Sequence, residues 1–217
     1  METRERPKLG WHAAIVAGAV VTLVVTGLAV RGQHVSSFER HVFRVINGFP
    51  AILEGPVWLV MQLGNGLMVV AAPLVAALCR RYRLAVVLAL TGGAAYLVAR
   101  FIKDIVVRPR PAALLHDVHL RPGSTAQGHG FPSGHAAVAF SLATALCLMI
   151  GPRLRPYAMA LILLGAAIVG FGRVYVGAHF PFDVVGGAAI GIIVGIVVVT
   201  ANHSVETPDT RSRRLWQ

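Results

Sequence analysis

Charge is what this chain has little of. Only 13% of its 217 residues are Asp, Glu, Lys or Arg, where a soluble domain carries about a quarter, and that shortage excludes an ordinary water-soluble fold. Acidic residues are the scarcest, nine against 20 Lys and Arg. The resulting formal charge of +11 suits a protein working among anionic lipids. Nucleic acid is the competing partner for such basicity. The positive residues sit in short loops between apolar runs, however, and nucleic acid is set aside. Two cysteines, Cys79 and Cys147, fall inside different apolar runs; they read as buried thiols, and a disulfide framework is excluded. Neither a repeat at solenoid spacing nor a low-complexity tract is found.

Apolar sequence is what the chain has in quantity, at 56% hydrophobic residues. Six runs carry no charge: 13–30, 55–79, 84–99, 136–152, 156–172 and 184–202. A membrane-spanning helix needs ~20 mostly apolar residues, and ~17 suffice in the shortest cases. The run 84–99 reaches that length once Arg100 snorkels its charge to the interface. The expectation is therefore all-α: a six-transmembrane-helix bundle forming one membrane domain over 1–203, then a polar, disordered cytoplasmic tail over 204–217. The first run exceeds the ~7–15 apolar residues of a signal peptide and reads as a retained anchor.

Orientation follows from the loops. With both termini cytoplasmic, the inner side collects eleven basic residues, crowded into very short turns such as Arg80-Arg81-Tyr82-Arg83, and the outer side nine. Three of those nine are assigned to a ligand below, so the positive-inside rule favours this arrangement. The outer segment 36–50 mixes apolar residues with Glu39, Arg40, His41 and Arg44, the spacing of an amphipathic connecting helix on the surface. In the second run Gln62, Gly64, Asn65 and Gly66 interrupt the apolar pattern and read as helix–helix glue. Gly187, Gly191 and Gly195 make a small-residue packing face on the last span. The long outer connection 104–133, kept irregular by Pro109, Pro111 and Pro122, is of a length that tends to be functional.

Three polar clusters lie at span ends on that outer side. In the first, Lys103 ends a helix that Pro109 and Pro111 stop, holding Arg110 in extended chain. The second is Phe131-Pro132-Ser133-Gly134-His135, a turn that feeds a helix whose free N–H groups, dipole and nearby hydroxyl suit an anion. The third is Arg173, ending the fifth span, with His179 and Asp183 beginning the sixth. Pro181 is tolerated in a first helical turn, so the four-residue spacing brings imidazole and carboxylate together. Taken singly, each residue has a bland reading as an interfacial anchor, a turn or a satisfied polar group.

Together they resemble the type 2 phosphatidic acid phosphatase superfamily: Lys-x6-Arg-Pro, then Pro-Ser-Gly-His, then Arg-x5-His-x3-Asp, between Lys103 and Asp183. The third motif departs from the family in having Gly172 where Ser is usual, removing one phosphate hydrogen bond. A phosphate ester needs its oxygens neutralised, a nucleophile in line and a proton for the leaving group. Lys103, Arg110 and Arg173 supply the first, the arginines through bidentate forks. Ser133 and the N–H groups near Gly134 complete an oxyanion cradle. The resemblance implies that His179 attacks phosphorus to give a phosphohistidine, that Asp183 fixes its tautomer, and that His135 protonates the leaving group and then activates water. No metal or other cofactor is called for in that scheme.

The expectation is an integral membrane phosphatase acting, on the extracytoplasmic face, on a lipid phosphate or diphosphate of the isoprenyl, phosphatidylglycerol phosphate or phosphatidic acid class. A lipid phosphotransferase shares the covalent intermediate, and a non-hydrolytic anionic-lipid binder or transporter shares the cradle. His116, His119 and His129 raise a zinc alternative, weakened by the want of a cysteine partner. His129 is also placed to contact substrate. Oligomeric state and the choice of lipid are not legible in the residues.

Overall fold

The computed structural model describes residues 6–33, 35–150 and 155–205. The tail beyond residue 205, Arg4 and Arg153 lie outside the described residues. The chain is all-α, with α1 Arg6–Ala29, α2 Ser37–Asn47, α3 Glu54–Met61, α4 Met68–Leu78, α5 Tyr82–Ile105, the short α6 Pro111–Leu114, α7 Gly134–Met149, α8 Arg155–Tyr175 and α9 Pro181–Val205. Among the described residues no strand forms; an isolated bridge pairs Pro109 with His129.

Each apolar run becomes a helical unit, but the six are not alike. Gly10–Ala29, Tyr82–Ile105, Pro156–Tyr175 and Pro181–Asn202 are long and apolar enough to cross a membrane. The second run is a broken unit, Ala51–Gly64 and Met68–Leu78, bent by 75°. Its polar and small residues make the break, and Gly64 among them also packs against α7 as a helix contact. Asn65 donates to Gln62 Oε1 at 3.2 Å, and its own Oδ1 accepts from Leu67 N–H, so the side chains satisfy a local turn rather than a neighbouring helix. The 16 residues of α7 reach only about 24 Å. That helix begins at a buried turn, Phe131 to Ser133.

The packing that positions the site is between α7 and α9. A Cβ on Gly191 would lie 2.6 Å from the Ala137 carbonyl oxygen and one on Gly195 2.7 Å from Thr144 Cβ, while Gly187 abuts the Ser133 carbonyl. Only glycine lets the two backbones approach so closely, so the small-residue face is a helix contact. It sets the N-terminus of α7 beside that of α9. Gly64, at the α3–α4 break, completes the seating: a Cβ there would meet the His135 carbonyl oxygen at 2.6 Å.

Two expectations need correction. Cys147 is buried, but Cys79 is exposed, because it caps the C-terminus of α4 where the apolar run ends. The segment 36–50 does form a helix, capped by Ser36, whose Oγ accepts from Glu39 N–H at 3.1 Å. Yet its inward stripe is Glu39, Phe43 and Asn47, at i, i+4 and i+8, while Phe38 and Val45 are exposed. Asn47 receives the His119 N–H and donates to the carbonyls of His119 and Tyr175, each at 2.9 Å. Thus α2 is bolted to the connection between α6 and α7 and to α8.

Candidate active site

The site is assembled from the ends of α5, α7, α8 and α9. Helix α5 stops before Pro109, and Arg110 follows in extended conformation (φ −77°, ψ 163°) as the residue preceding α6. The 108–110 segment lies antiparallel to 129–130, with Gly130 N–H donating to the Arg108 carbonyl at 2.6 Å. Gly130 fits tightly there: a Cβ would sit 3.0 Å from Asp183 Oδ2 and 3.2 Å from the Pro109 carbonyl oxygen. The Ser133 N–H donates to the Asp183 carbonyl at 2.8 Å, tying the second motif to the third.

Ser133 precedes α7 as its N-cap but makes no side-chain cap hydrogen bond. Its hydroxyl is buried and has no partner among the described residues, and the same holds for Arg110 Nε, Arg173 Nε and His179 Nδ1. Buried polar atoms in that state are uncommon, because each carries its full desolvation penalty. Other atoms of the three cations are held by the outer loop and its surroundings. Lys103 Nζ donates to the His129 carbonyl at 2.8 Å and the Gly130 carbonyl at 3.3 Å. Arg173 Nη1 donates to the Gly123 carbonyl at 2.8 Å. Arg110 Nη1 reaches the carbonyls of Ala178 and Thr125 at 3.3 and 3.4 Å.

His179 is almost fully buried, and its Nδ1 lies 3.5 Å from Asp183 Oδ2. Burial holds the imidazole well below its ordinary pKa; Arg173, Lys103 and Arg110 push it down further, with His135 adding a smaller effect. All of these groups are therefore within electrostatic reach of one ring. The ring is neutral at physiological pH. Burial likewise lowers the Arg110 guanidinium, with the Asp183 carboxylate opposing.

The structure thus brings Lys103, Arg110, Ser133, Gly134, His135, Arg173, His179 and Asp183 to one place. Gly172 has a packing reason: a Cβ there would lie 2.6 Å from Met61 Cγ and 2.9 Å from Val57 Cγ1. His129 takes part through its backbone carbonyl. Among the described residues, no three His, Cys, Asp or Glu side chains converge as metal ligands.

Two residues were missed by sequence reasoning. Arg108 is fully buried and donates from Nη1 to Asp183 Oδ1 at 2.7 Å. Glu39, 1% exposed, accepts from both ends of the Arg108 fork, at 3.1 and 2.6 Å. Burial would lower the Arg108 pKa, but the two carboxylates outweigh it and raise it. The clue to Glu39 was its place in an i, i+4, i+8 series with Phe43 and Asn47.

This chain belongs to the PAP2 superfamily, whose description it matches over residues 67–205, more than half its length. Among solved structures it is similar to LpxE of Aquifex aeolicus, at 31% identity and a TM-score of 0.67, over 78% of this chain and 98% of that one. It also shares the fold of a transmembrane PAP2-type phosphatidylglycerolphosphate phosphatase from Bacillus subtilis, at 19% identity and a TM-score of 0.72, over 88% of this chain and 98% of that one. With the long apolar helices, these neighbours make it a multi-pass membrane protein.

Curated relatives include a lipid A 4'-phosphatase of Bacteroides thetaiotaomicron, 36% identical over 42% of this chain and 41% of the relative. Undecaprenyl-diphosphatase BcrC of Bacillus subtilis is 32% identical over 50% of this chain and 52% of the relative. The chain spans about half the length, or less, of these two. An undecaprenyl-diphosphatase of Sulfolobus acidocaldarius matches at 26% identity over 75% of this chain and 77% of its own length.

Proposed function

We propose that this protein is an integral membrane lipid phosphatase that hydrolyses a lipid phosphomonoester or diphosphate through a phosphohistidine intermediate. The observation that carries the reading is the set of buried, unpartnered polar atoms Ser133 Oγ, Arg110 Nε and Arg173 Nε, on residues whose cationic members act electrostatically on a neutral His179. Donors of this kind, with Lys103 and the first-turn N–H groups of α7, match the oxygens of a phosphoryl group.

With Nδ1 facing Asp183, Nε2 is the atom of His179 left to attack phosphorus. A bond forms from Nε2 to phosphorus as the bond from phosphorus to the lipid oxygen breaks; His135, protonated once the bound phosphoryl group's negative charge offsets the three cations, delivers its proton to that oxygen. Asp183 stabilises the positive charge that develops on the ring. In the second half, His135 takes a proton from water, whose oxygen displaces His179 and releases inorganic phosphate. The depressed pKa of His179 matters for the first half, since only the neutral ring carries the attacking lone pair.

The relatives' names run from lipid A phosphatases to undecaprenyl-diphosphatases and a phosphatidylglycerophosphatase, and their common element is a phosphate on a lipid. A headgroup site at span ends lets the tail stay in the bilayer. The site faces the extracytoplasmic side, with both termini in the cytoplasm, on the argument from positive loops. The test is release of inorganic phosphate from polyprenyl and glycerolipid phosphates by purified protein in detergent with EDTA. Release that persists in EDTA and vanishes in His179→Ala is expected; release that persists in His179→Ala would sink the mechanism.

A further inference from the structure

Arg108 and Glu39 have no part in the chemistry just described, yet they form the most completely buried ionic group beside it. The Arg108 side chain is 0% exposed and Glu39 1%. The guanidinium is held on three sides: its two Nη atoms reach both Glu39 oxygens, Nη1 also reaches Asp183 Oδ1, and Cζ lies 4.6 Å from the Phe180 ring centroid. Phe43 of α2 backs that ring at 5.2 Å. Glu39 Oε1 also accepts the Phe182 N–H at 3.0 Å, so α2 is in register with the first turn of α9.

The consequence falls on Asp183. Its Oδ1 is held by Arg108 and its Oδ2 by the Phe180 N–H at 2.9 Å. Oδ2 is the oxygen 3.5 Å from His179 Nδ1. A carboxylate held at both oxygens is restrained from rotating about its last bond, so Arg108 and the Phe180 N–H together set the direction it presents to the imidazole. We propose that Arg108 and Glu39 are positioning residues of the reaction: Arg108 fixes the Asp183 carboxylate against His179, and Glu39 fixes Arg108. This inference rests on the reading of His179 as nucleophile. It makes α2, outside the three motifs, part of the machinery. The fork geometry is the reason for an arginine, since a lysine would keep the charge without bridging two carboxylates.

A buried ion pair can also be purely structural, and the experiment must separate the two. Phosphate release from a lipid phosphate in detergent is measured for wild type, His179→Ala, Arg108→Lys, Glu39→Gln and the double variant Arg108→Met/Glu39→Leu. The inhibition constant of inorganic phosphate is measured for each. The double variant removes the Arg108–Glu39 pair together and leaves Asp183 its Phe180 N–H, so thermal unfolding of each variant is measured beside kcat to show that it folds. Neither residue touches the cradle, so the expected result is a kcat loss of roughly 100-fold in Glu39→Gln and in the double variant. Arg108→Lys should lose less, and phosphate inhibition should stay within about threefold of wild type. A double variant with wild-type kcat, or variants in which kcat and phosphate affinity fall together, would overturn the positioning role. If wild type releases no phosphate, or His179→Ala keeps the wild-type rate, the proposed function falls and this inference with it. If those two controls behave, a normal double variant removes this inference alone.

Discussion

At the scale of single residues, the site is governed by one imbalance. Three cations act electrostatically on a buried imidazole, and a carboxylate stands beside its Nδ1. Burial and the positive charges both favour the neutral ring, which keeps His179 able to attack well into the acidic range. The expected acid limb of kcat/KM, which reports the free enzyme, therefore has no component from His179 near its ordinary value of about 6.5. Removing one cation tests the sign. In Arg110→Gln the protonated ring is less disfavoured, so its pKa rises and the limb moves to higher pH, as a pH–rate profile would show. Removing the nucleophile should be far more severe, with His179→Ala losing about 10⁴-fold or more in phosphate release.

Helices carry the next set of constraints. The glycine face of α9 lets Ser133 and His135 stand beside Asp183 and His179, so activity depends on a contact that contains no reactive atom. Gly191→Val should part α7 from α9, lowering stability by about 1–3 kcal/mol and activity by roughly 100-fold; thermal unfolding and phosphate release check the two. Gly172→Ser, which restores the residue usual in the family, should destabilise rather than improve the protein. Its Cβ would press on Met61 and Val57, and pairing it with Met61→Ala should recover part of the lost melting temperature.

Element by element, sequence and structure agree unevenly, for physical reasons. The apolar runs and the three motifs were legible because each is continuous in the chain and its chemistry is local. The prolines after Lys103 mark a helix end wherever they occur. The four interrupting residues of the second run were visible, but composition alone does not show that they divide two roles: Gln62 and Asn65 close a local turn while Gly64 seats against His135 of α7. Glu39 was hidden because an acid on an amphipathic segment looks like a solvated face. What buries it is Arg108, 69 positions away. Arg108 itself was passed over because the arginine two residues on fits the motif.

For the whole molecule, the account requires one orientation. In the proposed orientation, Arg80, Arg81 and Arg83 face the cytoplasm and the loop bearing Gln127 faces outward. Cys79 is exposed and Cys147 buried, so a membrane-impermeant maleimide should label Cys79 in inside-out vesicles and not in right-side-out ones. Gln127→Cys in a Cys79→Ser background should behave in the opposite way. Labelling with the sidedness reversed would move the site to the cytoplasmic face while leaving its chemistry intact.

The claim on which all of this depends is that phosphorus is passed through His179. Purified protein, mixed with a lipid phosphate and quenched in alkali within a turnover, is the most direct place to look, with the phosphoryl group located by mass spectrometry of the peptides. The account predicts a phosphoryl group on His179 in wild type, accumulating in His135→Ala if water activation is slowed, and none in His179→Ala. Turnover with His179 unmodified, or a phosphoryl group on another side chain, would contradict it.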